Sequence, residues 1–254
     1  MSGDPSDDDW DDHAAWWQRE FTDGVDPEYT EQILPLIRDH LPAAGRLLDI
    51  GAGEGQVARQ AAGDGFEVVA LDPATAQVAE GVRRGGGVRW LQGSATHLPV
   101  PDGVFDAAVA CLVFEHIDAL EVALGEVARA LRPGGVFLLL LNHPLLQTPG
   151  SGWIDDQVLD PPEQYWRVGP YLLDAVTMEE VERGVFVRFY HRPLHRYVNT
   201  AADHGLVLRR LEEPPPPPGF IDRASEYRDA ETIPRLMMLR FERETTPGPE
   251  TGGR

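Results

Sequence analysis

Cysteine is nearly absent: Cys111 is the only one in 254 residues, which excludes an intrachain disulfide and a cysteine-rich metal cluster. Long apolar runs are also missing. Purely apolar stretches such as Val136–Leu141 fall far short of the roughly 20 residues that cross a bilayer. The N-terminus MSGDPSDDDWDD has neither the basic start nor the apolar core of a secretion signal, so a reducing cytoplasm is the expected location, with no membrane partner. Basic residues are scarce, with 22 Lys and Arg against 42 Asp and Glu and a net charge of −20. Eleven acidic residues against one arginine fall within residues 1–31, so the body is only moderately acidic. Such a surface lacks the cations that neutralise phosphates, and a nucleic-acid partner is not expected. No catalytic metal is expected either.

What is present is enough apolar material, 42%, for one substantial core. Residues 1–9 read as a disordered acidic tail and 245–254 as a second disordered tail, bounding a single domain over 10–244. Trp10, Trp16, Trp17 and Phe21 add apolar bulk in a helical N-terminal flap over 10–42. Ile33, Leu34, Ile37 and Leu41 recur at helical spacing, with Pro35 starting the helix late or kinking it. From Arg46 onward, short apolar runs alternate with amphipathic segments, the pattern of strand, crossover helix and parallel strand. Leu47–Ile50, Glu67–Leu71, Val88–Gln92, Phe105–Cys111 and Val136–Leu141 read as five strands, and Leu206–Leu211 and Leu236–Phe241 as two more. Leu120, Leu124, Val127 and Leu131 form one helical stripe, stopped by Pro133-Gly134-Gly135. The expected fold is α/β: a doubly wound, mostly parallel seven-stranded sheet. After the fifth strand the alternation lapses over about 142–190, an inserted lid with one strand, Val185–Tyr190, and the aromatics Trp153, Tyr165, Trp166 and Tyr171. The run Pro214–Pro218 reads as a stiff connector.

The strongest local signal is Leu47-Leu48-Asp49-Ile50-Gly51-Ala52-Gly53-Glu54-Gly55, a buried strand running into a glycine turn and a helix that starts near Gln56. Such a turn lets backbone approach a ligand closely, beside the unpaired amides of a helix N-terminus. A dinucleotide fingerprint requires glycine at position 56, where this chain has glutamine. Asp49 would repel a pyrophosphate, yet it attracts an ammonium and a sulfonium. Asp72, closing the apolar run Val68–Leu71, is placed to accept hydrogen bonds from ribose hydroxyls, or simply to cap the next helix.

Asp49-x-Gly51-x-Gly53-x-Gly55 and Asp72 are followed in order by Gly93-Ser94-Ala95, Leu98-Pro99, Phe105-Asp106 and Leu131–Gly135. This series resembles the Rossmann-like S-adenosylmethionine-dependent methyltransferases of the small-molecule branch. Trp17–Phe21, Asp26–Tyr29 and Tyr190–Leu194 are similar to segments of a bacterial, often actinobacterial, subgroup. The resemblance implies a cofactor pocket for S-adenosylmethionine, leaving as S-adenosylhomocysteine. Its wall would be formed by Asp49, Gly51, Ala52, Gly53, Asp72, Pro73, Ser94, Ala95, Cys111, His116 and Trp17. Ser94 departs from the usual aspartate that touches adenine; serine still accepts a hydrogen bond.

Methyl transfer by in-line displacement to a small molecule is the expected activity, with acceptor and methylated atom open. His143, at the end of the fifth strand, and His191, at the lid hinge, are the candidate general bases. His116 reads as a wall residue, and the lid aromatics suggest a hydrophobic or aromatic acceptor. Two alternatives stand beside this reading: a regulatory protein that binds the same cofactor without turnover, and a nicotinamide-dependent oxidoreductase, disfavoured by Gln56 and Asp49.

Overall fold

The structure, a computed structural model, describes residues 10–223 and 231–245; the expected tails lie outside these residues except for Thr245. Seven strands form one sheet: β1 (Arg46–Ile50), β2 (Glu67–Asp72), β3 (Arg89–Gln92), β4 (Phe105–Cys111), β5 (Leu131–Asn142), β10 (Leu206–Glu212) and β11 (Leu236–Arg243). Their order is β10-β11-β5-β4-β1-β2-β3. The pairs from β3 through β5 are parallel, and β11 runs antiparallel between β5 and β10. Mostly parallel, seven-stranded and covered on both faces, the sheet has the doubly wound α/β arrangement expected from the sequence.

The apolar runs lack alternation because both faces of the sheet are buried. Leu48, Ile50, Ala108, Ala110, Phe137 and Leu139 pack with Leu120, Leu124 and Val127 of α5 (Leu120–Ala130) and with Tyr197 and Ala201 of α7 (Leu194–Asp203). Their neighbours along the strands, Leu47, Ala107, Val109, Leu138 and Leu140, pack on the other face. There they meet Ile37 of α2 (Leu34–His40) and Val57, Ala58 and Ala61 of α3 (Gln56–Gly63). Helix α5 stops at Ala130, ahead of Pro133. The flap is α1 (Trp10–Phe21), followed by a five-residue π-turn over Tyr29–Ile33 that runs directly into α2, with Pro35 at the junction where the π-turn passes into α-helix.

The insertion holds more strand than expected. The short helix α6 (Pro144–Gln147) leads to two antiparallel hairpins, β6 (Gly152–Asp156) with β7 (Glu163–Arg167), and β8 (Ala175–Glu182) with β9 (Val185–His191). Val187 and Phe189 of β9 pack on Trp16 of α1, with Trp10, Trp17 and Phe21 around them, so lid and flap meet over the sheet. The proline run is not a uniform connector: Pro218 opens α8 (Pro218–Arg223). No helix of the described residues is long and apolar enough to cross a membrane.

Candidate active site

A cleft of about 1060 Å³ opens beyond the C-terminal ends of β1, β2 and β4, the place where open α/β sheets hold ligands. Its floor is the glycine turn. Gly51, Gly53 and Gly55 have φ of +66°, +56° and +90°, conformations in which side chains other than glycine are strained. The amide of Ala52 donates to Leu71 O at 3.0 Å, and that of Gly53 to Asp72 Oδ2 at 2.8 Å, which fastens the turn to β2. Asp72 Oδ1 also accepts from Ala74 N at 2.9 Å at the entry to α4 (Thr75–Arg84). Asp72 therefore organises the turn and caps the chain behind it. Each oxygen keeps a further lone pair for a ligand.

Asp49 is 1% exposed and lines the cleft, and its Oδ2 has no hydrogen-bond partner in the structure. Burial pushes its carboxyl up to about 7, with the neighbouring Asp72 charge adding to the rise. Burial likewise raises Asp72 to about 6, against the lowering effect of the Ala74 and Gly53 amides. Two buried carboxyls held this way are poised for a cation that relieves both desolvation and mutual repulsion. The third floor carboxylate, Glu54, already has cations, Arg59 at 2.6 Å and Arg84 at 3.1 Å.

Beyond β4 the chain turns at Leu112, a non-glycine residue with φ +57°, into the wall Val113–Ala119. Backbone strain of about 1–3 kcal/mol at such a residue is typical of ligand-facing turns. Cys111 lines the cleft as a buried thiol, raised well above its ordinary value first by burial and next by the Asp49 charge. It packs beside Tyr29, and the raised thiol disfavours the thiolate a nucleophile needs. His116 also lines the cleft. Its Nδ1 donates to Arg188 O of β9 at 2.7 Å, while its ring meets Trp10 at 5.1 Å and Phe189 at 4.6 Å. Wall, flap and lid are joined at this residue.

The flap crosses the cleft. Trp17 stacks on Phe21 with ring centroids 4.4 Å apart, and its Nε1 lies 3.5 Å from where a Cβ on Gly53 would stand. Asp11 accepts from Ala76 N at 2.7 Å and Gln18 donates to Gln77 at 2.9 Å, which ties α1 to α4. Of the residues expected at the cofactor, Trp17, Asp49, Gly51, Ala52, Gly53, Asp72, Pro73, Ser94, Cys111 and His116 all line this one cleft. Ala95 is the exception, being packed into the core at 6% exposure between Ser94 and Thr96. Ser94 Oγ lies 2.9 Å from Thr96 Oγ1, a local turn bond.

Neither expected base reaches the cleft. His143 is buried, accepts from Leu145 N through Nδ1 at 3.1 Å and pairs with Glu213 through Nε2 at 2.7 Å. It caps α6. Its replacement by alanine is expected to cost about 1–2 kcal/mol in urea unfolding while ligand affinity stays unchanged; weakened binding with unchanged stability would contradict the capping role. His191, 2% exposed, donates from Nε2 to Tyr171 O at 2.9 Å and lines a separate cavity of about 280 Å³. His191 and His195 have the His-x-x-x-His spacing, but one ends β9 and the other lies in α7, so they do not share a helical face. None of the four lid aromatics lines the cleft. The Tyr171 hydroxyl instead accepts from Leu194 N at 2.9 Å, pinning the start of α7.

Trp10, Tyr29, Gln77, Gln92 and Thr96 also line the cleft. Trp10 and Tyr29 lay in segments marked by their aromatics. Gln77, buried in α4, and Gln92 carried no signal, since a glutamine on a helix or strand end looks like any other in sequence.

Residues 48–139 match the family model described as a methyltransferase domain. Sheet order and glycine turn agree with that match over the residues it spans. The chain is 40% identical over 90 residues to a demethylmenaquinone methyltransferase of Beutenbergia cavernae, covering 35% of this chain and 38% of that protein. It is 35% identical over 109 residues to a malonyl-[acyl-carrier protein] O-methyltransferase of Serratia marcescens, covering 42% and 43%. These matches span less than half of either relative. The crystal structure of an S-adenosylmethionine-dependent methyltransferase from Mesorhizobium loti superimposes with a TM-score of 0.71 at 25% identity, covering 82% of this chain and 96% of that one.

Proposed function

We propose that this protein transfers the methyl group of S-adenosylmethionine to a small-molecule acceptor. The observation that carries the reading is Asp49 Oδ2, a buried carboxylate oxygen without a partner on the floor of a cleft cradled by left-handed glycines. Bound there, the cofactor supplies a methyl group on a sulfonium whose departure as a thioether needs no metal. Asp49 holds the ammonium, the turn Gly51–Gly53 admits the methionine backbone closely, and Asp72 with Pro73 takes the ribose. Ser94 and its neighbours Gln92 and Thr96 border the adenine. Trp17, reaching the turn from the flap, closes the pocket over the donor.

Alignment of acceptor and methyl supplies much of the rate in such a displacement, and Trp10 with His116, whose ring is backed by Phe189 outside the cleft, provides a wall for it. An acceptor with hydrophobic or aromatic surface suits that wall; the lid aromatics play no part in it. His143 and His191 are replaced in this scheme by His116, the histidine that lines the cleft among the described residues. The enzyme would act in the cytoplasm.

Labelled methyl transfer from S-adenosylmethionine into a bacterial small-molecule extract tests the reaction. Transfer that disappears in Asp72→Ala is the expected result; binding of S-adenosylhomocysteine without any transfer by the wild type would instead mark a regulatory binder. Asp72→Ala is expected to weaken S-adenosylhomocysteine by about 1–3 kcal/mol, the cost of lost hydrogen bonds to a charged group. Because Asp72 also fastens Gly53, the melting temperature is expected to fall too. Unchanged affinity would reduce Asp72 to a cap.

A further inference from the structure

We infer that the methyl acceptor enters this cleft uncharged or positively charged, and that anionic acceptors are rejected. The inference rests on the methyl-transfer reading above and extends it to the charge of the substrate. Five carboxylates line the cleft, Asp11, Asp49, Glu54, Asp72 and Asp118, and among the described residues no arginine does. The chain contains no lysine at all.

These carboxylates are not equivalent. Glu54 is matched by Arg59 and Arg84. Asp11 accepts the backbone amide of Ala76. Among the described residues Asp49 and Asp72 have no basic side chain in hydrogen-bond or ion-pair contact, although Arg59 attracts Asp49 from farther off, and the Asp49 oxygen Oδ2 is buried without a hydrogen-bond partner. Asp118 sits exposed on the rim and also lines the neighbouring cavity. S-adenosylmethionine brings a sulfonium, an ammonium and a carboxylate, a net charge of plus one. Asp49 and Asp72 together outweigh it, so the compartment stays net negative with the donor in place.

An anionic acceptor would surrender its water to a wall that offers no cation in return, the most costly way to bury a charge. An uncharged acceptor avoids this cost. A cationic one gains from the rim carboxylate and from the face of Trp10. The chain's net charge of −20 acts in the same direction during approach, slowing the encounter with anions. Acceptors tethered to an acidic carrier, or bearing phosphates or carboxylates near the reacting atom, are rejected under this rule.

The test uses the full chain with methyl-labelled S-adenosylmethionine and a bacterial small-molecule extract divided by ion exchange into anionic, neutral and cationic pools. Label is expected in the neutral or cationic pool, with the anionic pool at least tenfold lower. Label concentrated in the anionic pool overturns the inference. If no pool is labelled although S-adenosylhomocysteine binds in calorimetry, methyl transfer itself fails and this inference falls with it, a result distinct from failure of the charge rule.

Discussion

Valine in place of Gly51 is expected to abolish donor binding and to lower stability by several kcal/mol. A Cβ at this position would lie 2.5 Å from Val113 Cγ2 and 2.7 Å from Cγ1, inside any real contact distance, while the φ of +66° already disfavours a branched residue. The turn and the wall after β4 are packed against each other, so one of them must move. Either movement spoils the pocket. Calorimetry with S-adenosylhomocysteine reads the binding and urea unfolding the stability.

Since that variant can lose its fold altogether, Gly53→Ala isolates the binding effect. Its Cβ would meet only Trp17, at 3.5 Å from Nε1 and 3.9 Å from Cδ1, ordinary contacts, with φ at +56°. A left-handed alanine costs about 1–2 kcal/mol, which a domain of this size tolerates. The added methyl group nevertheless fills the gap between turn and flap. Donor affinity is expected to drop at least tenfold in a folded protein. Wild-type affinity in Gly53→Ala would remove the turn from the pocket.

The parts of this protein that sequence made legible are those where one residue has one role. The strand Leu47–Ile50 must be buried on both faces to be so apolar, and the residues after it must be glycines to turn as they do. Asp49, Asp72 and the segment Cys111–His116 followed from their places at strand ends, because strand ends in an open α/β sheet converge. His143 and His191 were placed by the same argument and landed elsewhere. Position along a chain fixes which edge of the sheet a residue occupies, but not where its side chain points. His143 turned to Glu213 and the start of α6, and His191 to the carbonyl of Tyr171.

The lid was legible only as an interruption. Strand β8 carries Glu179, Glu180 and Glu182, and its pairing with β9 through the turn at Gly184, φ +81°, satisfies backbone groups more than it buries side chains. Such a strand has little apolar pattern to read. Trp153 and Trp166 pair across β6 and β7, consuming in the hairpin the aromatics that suggested a substrate wall. The aromatics that line the cleft come from the flap instead: Trp17, expected at the cofactor, and Trp10, whose sequence context marks it only as apolar bulk in need of a surface.

Donor affinity is expected to rise with pH up to about 7 and then level off, with Asp49 as the cause. In the ligand-free protein burial lifts its carboxyl from 3.8 to about 7, so between these values the folded chain holds a proton that the unfolded chain has released. Stability from this group is therefore complete below about pH 4 and is lost as pH rises toward 7. An ammonium requires the ionised carboxylate. Below pH 7 binding must first expel the proton, at up to a tenfold loss of affinity per pH unit, and Asp72, raised to about 6, steepens the loss at lower pH. Asp49→Asn has no proton to expel and no charge to offer. At pH 7.5 it is expected to bind S-adenosylhomocysteine about ten- to a hundredfold more weakly, in the range of a lost charged hydrogen bond. Its affinity is then expected to stay nearly level from pH 7.5 down to about 6, where Asp72 alone begins to take up a proton. Calorimetric titrations between pH 5.5 and 8 distinguish the cases, and parallel curves for the two proteins would show that the ammonium is held by some other group.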